Sequence, residues 1–126
     1  MQTKPDLFTK QQFINLETFR KTGEGVRTPV WFAQDGSTLY VWTDGTSGKA
    51  KRIRRNPSVK IAPSTSSGKP LGEFVSAQAR VYTQDTPVYQ RGNHLMDKKY
   101  GLQKKFFEWM GRKRKADRVV IEIKLN

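Results

Sequence analysis

The stretch from Arg27 to Pro57, RTPVWFAQDGSTLYVWTDGTSGKAKRIRRNP, constrains the fold most, because it packs two β-type runs, a tight turn and a helix stop into one short span. Arg27 to Ala33 mixes β-branched and aromatic residues and reads as a half-buried strand. Asp35-Gly36 is a hairpin signal, and Leu39 to Thr43 is the return strand. Asp44-Gly45-Thr46-Ser47-Gly48 then leads into a helix, with Ser47 near its N-cap. The helix is very basic: Lys49, Lys51, Arg52, Arg54 and Arg55 all lie before Asn56-Pro57. Proline stops it, since the residue before a proline is pushed out of the helical region.

This order has a chemical consequence. A strand end delivers a loop of small residues and then the positive end of a helix. Unpaired backbone N–H groups, a Ser or Thr hydroxyl and Lys49 can converge there on a phosphate group. The loop is not a Walker loop. Only two residues separate Gly45 from Gly48, and Ala50 rather than Ser or Thr follows Lys49. Taken alone, the segment reads more readily as a turn before a solvated basic helix than as a ligand site.

The remaining chain is mostly strand. Residues 5 to 12 suggest a short helix, and Phe13 to Arg20 a first strand with Ile14, Leu16 and Thr18 on one face. Gly23 and Gly25 bracket the turn into the second strand, where Val26, Thr28, Val30 and Phe32 alternate with Arg27, Pro29, Trp31 and Ala33. Pro29 removes a ladder donor, so this strand is an edge, a bulge or an opening in a barrel. Val59 to Ala62 is a fourth strand, Pro63 to Pro70 a loop, and Glu73 to Thr83 a long strand. One face of that strand, Val75, Ala77, Ala79 and Val81, is small enough for a bulky element such as another sheet to approach. Thr86-Pro87 opens a helix that Gly92 weakens and Gly101 closes. Leu102, Phe106, Trp109 and Met110 recur at helical spacing, so a second helix runs to about Lys113. Asp117 to Leu125 is the last strand. The order β-β-β-α-β-β-α-α-β suits a mainly β protein: one antiparallel, Greek-key-like barrel with peripheral helices, spanning residues 1–126 as a single domain.

The run PVWF…LYVWTD…SGKAKRIRRNP resembles the pyridoxamine 5′-phosphate oxidase-like family of FMN and deazaflavin enzymes, and within it the subgroup that uses coenzyme F420. Leu16 to Gly23 resembles the family's first strand and turn, and Val75 to Val81 a later barrel strand. The resemblance thus covers about residues 13 to 85 in order. It implies an FMN-binding split barrel, a homodimer with cofactor sites at the subunit interface, and an oxidoreductase that passes a hydride between the ring and a small organic substrate. By position, Thr43, Ser47, Gly48 and Lys49 match the phosphate-contacting segment, with Lys51 or Arg52 in support. Arg27, Thr28, Pro29 and Val30 match the strand beside the ring, where backbone groups would bond its polar edge. Trp42, next to the phosphate loop, is the tryptophan best placed to stack on a ring; Trp31 and Trp109 read as core. Both cofactors present a ribityl phosphate to the same loop. The GKAKRIRRNP match and the positive charge incline the reading to F420.

Charge keeps other readings open. The chain has 24 Lys and Arg against 11 Asp and Glu, a formal net charge of +13. Such a surface attracts nucleic acid, anionic membranes or anionic ligands. A second basic cluster runs from Lys98 through Lys99, Lys104, Lys105, Arg112, Lys113, Arg114 and Lys115 to Arg118. It reads as a solvated face, as a cradle for an acidic cofactor tail or substrate, or as a source of nonspecific nucleic-acid affinity. The alternatives to an oxidoreductase are therefore a basic nucleic-acid-binding module and a non-catalytic flavin or haem carrier on the same fold. Cysteine is absent, and His94 is the one histidine. This leaves no thiol chemistry, no metal cluster and no nucleophile–base pair, so no catalytic residue is named. Redox chemistry needs none, because the cofactor carries the reactivity. The polar start and the lack of a long apolar run suggest a cytoplasmic protein without a membrane span.

Overall fold

The computed structural model describes residues 4–101 and 117–126. A short 3-10 helix, Pro5–Phe8, precedes β1 (Phe13–Phe19), β2 (Gly25–Trp31), β3 (Ala33–Asp35) and β4 (Thr38–Asp44). Helix α1 (Gly48–Arg55), β5 (Ser58–Ser64), β6 (Val75–Tyr82), α2 (Pro87–Tyr100) and β7 (Arg118–Leu125) follow. All strand pairs are antiparallel, in one seven-stranded sheet of order β2-β1-β5-β6-β7-β4-β3. The expected second helix, with Trp109 and the lysines and arginines from 104 to 115, lies outside the described residues. No described helix is long and apolar enough to cross a membrane.

The strand expected from Arg27 to Ala33 divides at Phe32. Gly25–Trp31 pairs with β1, while Ala33–Asp35 pairs with β4. The two pieces are therefore opposite ends of the sheet, yet one residue joins them. A flat sheet of seven strands cannot satisfy that link, so the sheet curls until its edges approach and β2 touches β4. This is the split barrel that the resemblance implied. Pro29 sits on β2, an edge strand, where its missing N–H costs no ladder bond on the open side.

The core follows the expected alternation. Ile14, Leu16, Leu39, Val41, Val59, Ile61, Ala77, Ala79, Ile121 and Ile123 form one buried cluster inside the curl. Ile53 of α1 joins that cluster, and α1 packs against β6 and β1. The small face of β6 thus admits a helix side chain as well as facing strands. Helix α2 covers the outer face of β4 and β7 through Tyr40, Tyr89 and Val120. Gly92 is the reason it lies so close. A Cβ there would come within 2.8 Å of Val120 Cγ1 and 3.0 Å of Tyr40 Cδ1. The glycine that weakened the helical pattern is therefore a packing residue. Thr86 caps α2 by accepting from Tyr89 N–H, and Pro87 opens it as expected. Gly101 ends it in right-handed backbone, without the left-handed turn that favours glycine.

The end of α2 clamps the link between the two sheet edges. Tyr100 Oη accepts from Phe32 N–H at 3.2 Å and lies 2.6 Å from Phe32 O and 2.9 Å from Gln12 O, one of which takes its proton. Its ring stacks on Trp31 at 4.8 Å. Lys99 is exposed as a residue, but its ammonium turns in onto Gln11 O (2.6 Å) and Phe32 O (2.8 Å), over the Phe32 ring. Burial pulls Lys99 down to about 8 from 10.5 and pushes the Tyr100 hydroxyl above its usual 10.0, the latter partly offset by the bond to Phe32. The signs give a pH test. Between about 8 and 10.5 the unfolded chain holds more protons at residue 99, so stability rises with pH. Above 10.0 the unfolded chain loses the residue 100 proton first, so stability falls. Chemical denaturation across pH 7 to 11 should show the rise, and Lys99→Met should flatten it; an equal rise in both proteins would refute the assignment.

Candidate functional site

Strand β4 ends with its side chains divided. Leu39 and Val41 face the core, and Thr43 continues that face toward the loop. The loop is tied by its own groups. Asp44 Oδ1 accepts from Thr46 N–H and Thr46 Oγ1, each at 2.7 Å, and Asp44 O accepts from Ser47 N–H at 3.0 Å. Gly45 N–H donates to Asp117 O at 2.7 Å, and a Cβ on Gly45 would meet Val119 at 3.0 Å. The loop is thus pinned both to itself and to the start of β7.

Ser47 is extended and caps α1 as expected, its Oγ accepting from Ala50 N–H at 3.2 Å. Thr43 Oγ1 lies 3.3 Å from the same Oγ. The Gly48 and Lys49 amides, in the first turn, have no acceptor among the described residues. Such unpaired first-turn donors are what an anion meets at a helix N-terminus.

Two side-chain cations stand beside these amides. Arg52 reaches back along α1 and donates from Nε to Thr18 Oγ1 at 2.7 Å. Its Nη1 would lie 2.7 Å from a Cβ on Gly48, so the glycine leaves the room that the guanidinium fills. Burial, and then the neighbouring Arg52, lower the pKa of the Lys49 ammonium. Burial, then Arg20 and Arg55, lower that of Arg52. Both residues are half-buried, and neither has a carboxylate within ion-pair distance among the described residues. Two half-buried positive charges with no paired carboxylate among the described residues, beside first-turn amides and two hydroxyls, form a donor set suited to a phosphate.

Thr43, Ser47, Gly48, Lys49 and Arg52 are therefore brought together. Lys51 is exposed on α1, and its side chain makes no hydrogen bond or ion pair among the described residues. The β2 residues divide. Val30 packs on the core and Thr28 is half-buried on the same inward side, while Arg27 and Pro29 turn to the other face. Arg27 pairs there with Glu17 at 3.2 Å and lies 4.1 Å over the Phe74 ring, and Pro29 borders Gly68. As an edge strand, β2 still keeps one side of its backbone outside the ladder, facing the split. Trp42 points opposite to Thr43. It packs with Tyr40 and Leu95 under α2, beneath the Arg118 guanidinium at 4.7 Å. The strand's alternation, which sequence proximity does not convey, sends it there.

Thr18 was not singled out in the sequence, where it is one inward position on β1 among apolar neighbours. The available signal was a hydroxyl among those neighbours, on a strand that a basic helix had to cover. A cleft of about 650 Å³ opens elsewhere, between the 3-10 helix and α2, lined by Asp6, Lys10, Gln34, Leu95 and Lys99 among others. It shares no residue with the α1 group.

The profile of the family described as pyridoxamine 5′-phosphate oxidase matches residues 4–126. Among solved structures, the haem storage protein HutZ from Vibrio cholerae is similar with TM-score 0.72 and 15% identity, over 100% of this chain and 92% of that one. An F420 reductase gives 0.62 and 18%, over 100% and 95%. A FAD-binding protein from Mesorhizobium loti gives 0.63 and 18%, over 95% and 83%. At these identities the likeness is one of fold. A comparison with curated proteins returned no match.

Proposed function

The chain belongs to the pyridoxamine 5′-phosphate oxidase family, and from that premise we propose that it is an oxidoreductase using FMN or the deazaflavin F420 on a small organic substrate. The observation that carries this reading is the pair Lys49 and Arg52 on α1, half-buried and, among the described residues, without a carboxylate in ion-pair distance. A bound flavin or deazaflavin supplies the hydride chemistry.

The protein's part is to bind and orient. The Gly48 and Lys49 amides and the Thr43 and Ser47 hydroxyls receive phosphate oxygens, and Lys49 and Arg52 balance the charge. The open edge of β2, from Arg27 to Val30, offers backbone groups to the polar rim of a ring laid along the split. We place the working unit as a homodimer in the cytoplasm, since an open barrel leaves sheet edges for a second copy to cover. Nucleic acid enters only as nonspecific electrostatic binding.

The test is a fluorescence titration of stripped protein with FMN and with the deazaflavin in parallel, at moderate salt. Tight binding of at least one is expected, and the tighter of the two names the cofactor. Binding of neither would withdraw the oxidoreductase reading.

A further inference from the structure

Arg52 is held where two forces oppose its staying. Burial disfavours its charge, and Arg20 and Arg55 repel it. Arg20 is itself paired with Glu24 at 3.0 Å, and Arg55 donates to Phe19 O at 3.1 Å. Among the described residues, Arg52 has neither kind of relief. A long arginine side chain in that position gains by swinging out to water.

Among the described residues, one hydrogen bond holds it inward: that from Nε to Thr18 Oγ1 at 2.7 Å. Thr18 is 1% exposed, on the inward face of β1, opposite Val26 of β2. Its neighbours on that face, Ile14 and Leu16, are wholly apolar and buried. A valine would fill the same space and suit a strand equally well, so packing alone does not require the hydroxyl. The bond at Nε also fixes the guanidinium plane. The two Nη groups, which have no partner among the described residues, then present their N–H bonds as a fixed fork. A fixed fork matches two oxygens of one phosphate.

We propose that Thr18 is a positioning residue for the phosphate site: it sets the Arg52 guanidinium as a clamp across the first turn of α1. This rests on the functional reading above. The bland alternative is that Thr18 merely anchors α1 to β1. An anchor would affect stability and every ligand alike, whereas a positioning residue acts through Arg52 and on the phosphate alone.

FMN and riboflavin differ only by the phosphate, so their affinities separate the two roles. Thr18→Val should weaken FMN about tenfold, as for loss of one bond to a charged group. Riboflavin affinity should stay within about twofold in the same sample, which also shows that the barrel is folded. Thr18→Ser should restore FMN binding. In an Arg52→Ala background, Thr18→Val should add nothing further. An FMN affinity unchanged by Thr18→Val, or an effect that adds fully to Arg52→Ala, overturns the assignment while leaving the phosphate site intact. Where the deazaflavin is the tighter ligand, the same comparison is made between it and its dephosphorylated form. A wild type that binds the phosphorylated and phosphate-free forms equally, or binds neither FMN nor the deazaflavin, removes the phosphate site itself, and the assignment with it.

Discussion

Replacing Lys49 with alanine should lower FMN or deazaflavin affinity by about 1–3 kcal/mol, the cost of one hydrogen bond to a charged group. Lys49 lies in the first turn of α1 beside the amides there, and Arg52 Nη1 lies against Gly48 of the same turn. The loss should be specific. Ser47 still caps α1 through Ala50 N–H, so helix content and melting temperature should barely move. Binding to a random DNA duplex should fall only slightly, since each lysine is one of many contributors to a net charge of +13. Parallel titrations of both ligands read the contrast. Cofactor affinity equal to wild type would sink the phosphate assignment.

Phe32→Ala should be the more damaging change to the fold, at about 3–5 kcal/mol for emptying a large buried aromatic site. That is a large part of the roughly 5–15 kcal/mol typical of a domain. Phe32 is fully buried, and its ring meets Phe8 edge to face at 6.3 Å. Lys99 and Tyr100 grip its backbone, so the lost ring also loosens the clamp on the link between β2 and β3. A urea midpoint shift worth under about 1 kcal/mol would show that the link does not depend on this ring.

These two residues also show what can be read from a sequence of this kind. The hairpin at Asp35-Gly36, the Ser47 cap and the proline stop are local, and each is set by residues a few positions apart. They were legible and stand as expected. The break at Phe32 was not legible, because the alternation of side chains runs through it undisturbed. Only pairing with β1 on one side and β4 on the other divides the strand, and both partners lie outside the run. The site divides in the same way. Thr43, Ser47, Gly48 and Lys49 form one turn and could be grouped by proximity. Thr18 lies 34 positions from Arg52 and reaches it only because α1 packs over β1. Trp42 shows the reverse: adjacent to Thr43 in sequence, it faces the other side of the sheet.

The place of β7 in the sheet bears on how the chain is made. Strands β4 and β6 each pair with β7 and not with one another. Until residues 118–125 leave the ribosome, the nascent chain holds two separate ladders: β2-β1-β5-β6 on one side and the β3–β4 hairpin on the other. Each exposes an apolar edge where β7 will insert. Vectorial synthesis therefore cannot complete the barrel stepwise, and the emergence of β7 becomes the event that joins the two halves. Such late, non-local pairing is slow and leaves edges open to other chains. Nascent-chain lengths arrested before and after residue 125 has cleared the exit tunnel should differ sharply in protease resistance.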